Sequence, residues 1–274
     1  MQSRVGLPLR RTSLVLASLL AVAGCAMSPP RTDDPWEKVN RKVYRFNDKV
    51  DRAVIRPTAK AYRTVTTPGL RRALSNFFAN VRMPITIAND MLQGDIKDAL
   101  RGTGRMVINS TVGLLGFFDP ATRMKIPAQE TDFAATLAQW GVGEGPYIVL
   151  PLMGSTSLRD VWRFPVDGYF FDPMTNYVQN RNQPLGQEHW PQLLYLITLR
   201  ARALDAEALT DGIYDPYVFY RDAYRQRRLY LNYDGQPPLD AIQQMQGIEE
   251  EDFESLLEQQ REYEKSQNDN NNSP

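Results

Sequence analysis

Cysteine and histidine are almost missing from this chain: Cys25 and His189 are the single examples among 274 residues. A disulfide framework and a Cys-ligated metal site therefore fall away, and one imidazole is too few for a histidine-based zinc centre. Net charge is missing too. The 32 basic residues balance 32 acidic ones, which gives no footing for nucleic acid. After residue 24 no stretch reaches the roughly 20 uninterrupted apolar residues of a spanning helix. There is no phosphate-cradling GxxxxGK(S/T) loop, and Gly154-Ser155-Thr156-Ser157 lacks the glycine that a GxSxG elbow needs after its serine. His189, beside Trp190 and Pro191 at a helix start, reads as a capping or packing residue rather than a base. Carboxylates such as Asp160 and Asp167 stay open as an acid–base pair, because sequence does not set their separation. The balance of these absences points to a protein that is not an enzyme and needs neither cofactor nor metal.

What is present begins at the amino terminus. Arg4, Arg10 and Arg11 precede an apolar run from Leu14 to Ala23, too short to anchor in a bilayer and proportioned like the core of a secretory signal. Val22-Ala23-Gly24-Cys25 closes the run as a lipobox, so residues 1–24 are expected to be removed and Cys25 acylated. A buried methylene contributes about 0.8 kcal/mol and one acyl chain holds only reversibly, so a cysteine bearing several chains is a lasting anchor. Ala26 and Met27 carry no acidic retention signal, which favours the outer membrane, with the protein on its periplasmic side. Residues 25–35, rich in proline and polar side chains, read as a tether. Residues 36–238 read as one helical domain, and 239–274 as an acidic helix with a disordered tail.

Without the three signal arginines, 29 basic residues face 32 acidic ones, but their distribution is uneven. Twelve Lys or Arg against three acids fall between Trp36 and Arg82, and nine acids against Arg261 and Lys265 between Glu249 and Pro274. The basic stretch suits anionic head groups or is simply a solvated helix face. Trp36, Val39, Val43, Phe46, Val50 and Val54 recur at helical steps, a stripe that Pro57 is expected to end. Further helices are expected from Gly69 to Asn80, after Pro84, from an Asp95 N-cap through Val107, from Thr131 to a stop at Gly141, from Pro191 through Leu204, and from Asp215-Pro216 to the cations Arg225, Arg227 and Arg228. A last one is expected from Asp240 to about Lys265. Met106–Phe118, apolar but interrupted, fits a buried hairpin or an interfacial element. Tyr147–Leu152 is the one strand candidate, and Pro151 weakens it. The fold class is all-α.

Several strings, in order along nearly the whole mature chain, resemble the MlaA/VacJ family of outer-membrane lipoproteins. They are Asp34-Pro35, Glu37, Asn40-Arg41, Tyr44 and Phe46-Asn47; Leu74 to Phe77 with Asn80; Leu92 to Asp95; Asn109 through Gly116-Phe117 and Asp119; the run from Gly141 to Asp160, GVGxGPYxxLPxxGxxxLRD; and Asp215 to Tyr217, Arg221, Ala223-Tyr224 and Gln226-Arg227. The chain departs from the family pattern in Val50–Pro57, around Arg163–Tyr177 and in the acidic tail. The resemblance implies a ring-like body of amphipathic helices lying in the inner leaflet of the outer membrane, bound to a trimeric porin. It also implies a central amphipathic channel that takes phospholipids mislocalised to the outer leaflet and passes them to a soluble periplasmic carrier. Phe46 and Asn47 are expected to border that channel and govern leaflet access, and Gly141, Gly143 and Gly145 to shape its rim or merely a turn. Arg159 is expected to pair with Asp160, or else to meet a head group. The alternative of another class is an envelope lipoprotein that scaffolds porins without handling lipid; a periplasmic phospholipase is a third.

Overall fold

Prolines and capping acids divide the chain into helices, which the computed structural model describes over residues 34–175, 189–207 and 212–246. The signal segment, Cys25, nearly all of the tether and the acidic tail beyond 246 lie outside the described residues. The all-α reading holds: eleven α-helices and one two-stranded hairpin make up the described fold.

Helix α1 (Glu37–Val50) does not stop before Pro57. It passes through a π-helical turn, Asp51–Ile55, straight into α2 (Arg56–Val65). The Arg56 amide reaches back five residues to the Asp51 carbonyl, and the wider turn accommodates a ring that a regular α-helix would exclude. Arg200 grips the same turn with two bonds to the Asp51 carboxylate, at 2.7 and 2.8 Å.

Helix α3 (Pro68–Val81) begins at Thr67, whose hydroxyl accepts from the Leu70 amide, and α4 (Met83–Gln93) follows Arg82 directly. Gly94, left-handed at φ 82°, turns the chain into α5 (Ile96–Thr111), where Asp95 is the expected N-cap and accepts from the Asp98 amide at 3.1 Å. Helices α4 and α5 lie close because Gly102 faces Ile87: a Cβ there would sit 3.1 Å from Ile87 Cγ1. A single turn, α6 (Pro120–Arg123), leads to α7 (Phe133–Gln139), which Gly141 terminates at φ 81°.

Strand β1 (Tyr147–Leu150) pairs antiparallel with β2 (Gly154–Ser157), Tyr147 opposite Ser157 and Leu150 opposite Gly154. A 3-10 turn at Asp160–Trp162, α8 (Arg163–Val166) and a second π turn at Asp167–Phe171 follow. Helix α9 (Trp190–Ala203) packs on α2 and α3. His189 precedes it and accepts from the Leu193 amide through its carbonyl, while its side chain makes no capping bond. Helix α10 (Pro216–Asn232) starts at the expected Asp215 cap but runs past the basic cluster, and α11 is Leu239–Gln246. Arg228 is not a helix-end cation: it is 2 % exposed and bonded to Asp132.

Burial is inverted relative to a protein folded in water. Among the described residues fourteen apolar side chains are buried against sixteen polar or charged ones, whereas thirty-two large apolar side chains are exposed. Of the stripe along α1 and its π turn, Trp36, Val39, Phe46 and Val54 are exposed and Val43 packs against the Tyr147–Val149–Tyr217 cluster, and Asn40 is the buried residue of the helix. Likewise Ile96, Leu100 and Val107 of α5 point out, while Ala99, Gly102, Arg105 and Asn109 point in.

The segment Met106–Phe118 is not a buried hairpin. It completes α5 and then folds into a closed loop that exposes Val112, Leu114, Leu115 and Phe118. Leu114 and Leu115 hold φ of 52° and 60°, a left-handed geometry costing about 1–2 kcal/mol each. Asn80 holds the loop from below through Ser110 Oγ at 2.9 Å and the Leu115 carbonyl, and only a glycine fits at 116, where a Cβ would come within 2.5 Å of the Asn80 side chain.

The buried interior is a web of amides and ion pairs. Asp34 accepts from the Trp36 amide, from Asn40 Nδ2 and from the Tyr217 hydroxyl, so the chain is tied to the body one residue before the expected end of the tether. Arg41 forks onto Asp215 at 3.1 and 2.7 Å. Much of the basic stretch is thereby spent internally: Arg52 pairs with Asp48, Arg56 with Glu207, Arg63 with Asp205 and Arg82 with Asp172.

Candidate functional site

Helices α3, α4, α5, α9 and α10, with α8, the second π turn and residues 128–132, wall a cavity of about 680 Å³, within the size of small-molecule sites. Its lining is two-natured. Phe78, Ala79, Met83, Ile85, Phe164, Leu199 and Leu231 are apolar; Asn76, Asn80, Arg82, Arg105, Asn109, Asp119, Asp132 and Asp167 are polar or charged.

Most of the charges are matched across the wall. Arg82 reaches Asp172 at 2.7 Å and stands over the Tyr195 ring, 5.1 Å from its centroid. Arg105 holds both Asp119 oxygens, at 3.1 and 2.9 Å. Burial works against the Asp119 charge, but hydrogen bonds from Thr122 and Asn109 and the Arg105 guanidinium outweigh it and hold that carboxyl below the usual range. Arg227 pairs with Glu130 at 2.6 Å. Asp167 behaves differently: burial pushes its pKa up to about 6, although the Phe133 amide and Asn89 both bond its oxygens.

None of the expected channel residues lines this cavity. Phe46 is 49 % exposed on the outer face of α1. Asn47 braces the hairpin, donating to the Leu150 carbonyl at 2.9 Å and accepting from the Leu152 amide at 2.8 Å. Asn40, seven residues earlier on the same helical face, does the same for β1, bonding the Tyr147 carbonyl and the Val149 amide at 2.9 Å each. Gly141 and Gly145 take left-handed backbone, φ 81° and 69°, and Gly143 lies between them with open space around it. Arg159 is buried against Asp160 at 2.7 Å, the ion pair among its two expectations, and borders a separate hollow with Asn232 and Tyr233.

Of the two carboxylates left open as an acid–base pair, Asp167 lines the cavity and Asp160 does not. Asp160, 0 % exposed, is held by Arg159, Arg228 and the Tyr224 hydroxyl, away from the cavity wall.

Many of the quoted residues gather at two junctions. Asp34, Asn40, Arg41, Asn47, Tyr147, Asp215 and Tyr217 meet where α1 joins the hairpin and α10. Ser75, Asn76, Asn80, Asn109 and Asp119 reach the cavity. Sequence reasoning missed the cavity residues Arg82, Arg163, Asp172, Tyr195 and Arg202, and singled out Asp167 only as a possible partner of Asp160. The available signal was the polar residues set into apolar helical strings, as in Asn76, Asn80 and Arg82, or Arg105 and Asn109 four apart.

A mainly helical body with many exposed apolar side chains and a charged hollow is the class this structure defines. The family model for the MlaA lipoprotein matches residues 32–231, and the chain belongs to that family. It is 35% identical over 235 residues to the intermembrane phospholipid transport system lipoprotein MlaA of Escherichia coli strain K12, covering 83% of this chain and 90% of that one. It is also 34% identical over 196 residues to an uncharacterised protein of Rickettsia prowazekii, covering 71% and 76%. A solved structure reported as "Structural basis for maintenance of bacterial outer membrane lipid asymmetry" superposes with a TM-score of 0.62 at 31% identity, over 74% of this chain and 100% of that chain.

Proposed function

We propose that this protein is a non-enzymatic passage for phospholipids, fixed by acylated Cys25 to the outer membrane with its body in the inner leaflet. In this reading it sits against a trimeric porin, takes phospholipid that has strayed into the outer leaflet and yields it to a soluble periplasmic carrier. Relatives named for intermembrane phospholipid transport, and the likeness to a structure concerned with lipid asymmetry, support the direction of this reading.

The observation that carries it is the helix-walled cavity with mixed lining beneath a shell of exposed apolar side chains. A phosphate stripped of water in hydrocarbon costs many kcal/mol, so a lipid moves only where a polar path runs beside an apolar one. The inverted burial suits helices whose outward faces meet acyl chains. Among the described residues no helix is long and apolar enough to cross a membrane, which fits a body confined to one leaflet.

The test is to plug the passage. Ala79 lines the cavity and is exposed, and Gly168 lines it with no atom within 4 Å of an added Cβ, so Ala79→Trp and Gly168→Trp fill the hollow without invading a core. Cells carrying either variant at normal abundance should show as much outer-leaflet phospholipid as cells lacking the protein. Low surface phospholipid in both plugged strains would refute the passage and leave a porin scaffold as the better account.

A further inference from the structure

The cavity's cations are unequally neutralised. Arg82, Arg105 and Arg227 each have a carboxylate within 2.9 Å. Arg163 does not: its nearest is Asp132 at 3.4 Å, and both Asp132 oxygens are already taken by Arg228 at 2.9 and 3.1 Å. Around that point three guanidiniums, Arg159, Arg163 and Arg228, share the carboxylates of Asp132 and Asp160. Asp167, four residues on from Arg163 and also on the cavity wall, has its oxygens bonded by Asn89 and the Phe133 amide. The Arg163 Nε has no acceptor among the described residues, and its guanidinium lies over the Phe164 ring, 4.8 Å from the centroid. A positive charge thus stands on the cavity wall beside an apolar one.

Arg202, on the last turn of α9, is the second such cation. It donates to the neutral Ser75 hydroxyl at 2.9 Å, and the neighbouring acids Asp205 and Glu207 are bonded to Arg63, Arg56 and Arg200. Guanidinium recognises phosphate with paired N–H donors, and an arginine without a competing carboxylate keeps those donors free for a passing ligand.

We propose that Arg163 and Arg202 are phosphate contacts on the wall of the passage, so that it selects lipids by their phosphate and not by their acyl chains alone. This rests on the passage reading above and adds the residues that discriminate. Arg82, Arg105 and Arg227 are then structural cations.

The experiment uses the full acylated protein in detergent, offered dioleoyl phosphatidylglycerol or dioleoylglycerol, whose chains match but which lacks phosphate; retained lipid is extracted and quantified. The native protein should favour the phosphate-bearing lipid by about tenfold. Arg163→Gln/Arg202→Gln should cut that preference to below about twofold with dioleoylglycerol retention unchanged, and Arg163→Lys/Arg202→Lys should keep most of it. Arg45→Gln, on an exposed face, controls for general charge.

A double glutamine variant that melts normally yet keeps the native preference overturns the assignment. If the double variant does not fold, Arg202→Gln decides, since its lost partner is a single hydroxyl: an unchanged preference overturns the proposal. Displacement of the lipid by inorganic phosphate, with retention of that phosphate, would reassign the contacts to the free ion and overturn it as well. Equal retention of both lipids by the native protein sinks the phosphate selection only, whereas retention of neither sinks the passage reading itself.

Discussion

Replacing Asn40 by alanine should damage the fold far more than the same change at Asn47. The Asn40 amide is 1 % exposed and satisfies two main-chain groups of β1, the Tyr147 carbonyl and the Val149 amide, besides bonding Asp34. Deleting it leaves both groups buried without partners, at about 1–3 kcal/mol apiece, so the expected loss is about 2–5 kcal/mol. The Asn47 partners lie at the end of β1 and in the exposed turn, where water replaces the lost amide, and about 1 kcal/mol is expected. For a body of this size each kcal/mol moves the melting temperature by about 2–4 °C, so Asn40→Ala should melt roughly 4–20 °C lower. Asn40→Asp should do no better than alanine: it keeps an acceptor for Val149 but loses the donor to Tyr147 and sets a buried carboxylate against Asp34. Thermal and urea unfolding of the detergent-solubilised protein, followed by circular dichroism, measures all three variants. A loss below 1 kcal/mol at position 40, or a larger loss at 47, would refute the view that α1 is fastened to the hairpin through these amides.

Asp90 is 1 % exposed with one oxygen unpartnered, and burial, reinforced by Asp95, raises its pKa to about 7 from 3.8. A raised native pKa means that its stabilising contribution is complete below about pH 4 and is lost as pH climbs through 7; Asp90→Asn should therefore raise the melting temperature most at pH 8, less at pH 5 and hardly at all near pH 4, by denaturation at all three values. Arg228→Met strips the buried Asp132 and Asp160 of their shared cation and should destabilise by about 3–5 kcal/mol in the same assay, well beyond the cost of Arg227→Met at its exposed pair with Glu130. Deleting Phe46 and Asn47 rotates the remainder of α1 and unfastens the hairpin turn, so surface phospholipid in cells should change; an unaltered level would separate α1 from leaflet access.

Local signals carried much of the helix layout. Asp95, Asp215-Pro216, Pro191 and Gly141 mark boundaries through capping and backbone geometry, which depend on a few adjacent residues. What escaped depends on distant partners. The π turn carries the chain through Pro57 because Arg200 and Glu207, far along the chain, complete the charge pattern around Asp51 and Arg56. Gly154–Ser157 has no apolar alternation and becomes a strand only against Tyr147–Leu150. Helical periodicity located the stripes correctly but not which way they face: Val39 and Leu100 point outward because the interior is filled by Asn40, Arg105 and Asn109. The cavity needs five helices to meet, so although the family strings held Asn76, Asn80, Asn109 and Asp119, nothing local joined them into one wall, and Arg163 and Arg202 stood in stretches with no motif to mark them.

The two asparagines of α1 have a further effect on how this protein survives in a crowded envelope. A two-stranded ribbon ordinarily offers its outer margin as a template on which a neighbour can lay another strand. Here the donor and acceptor groups of Tyr147 and Val149 are already occupied by a helix, through a side chain whose amide imitates a peptide. Accretion of a third strand along the β1 margin is blocked.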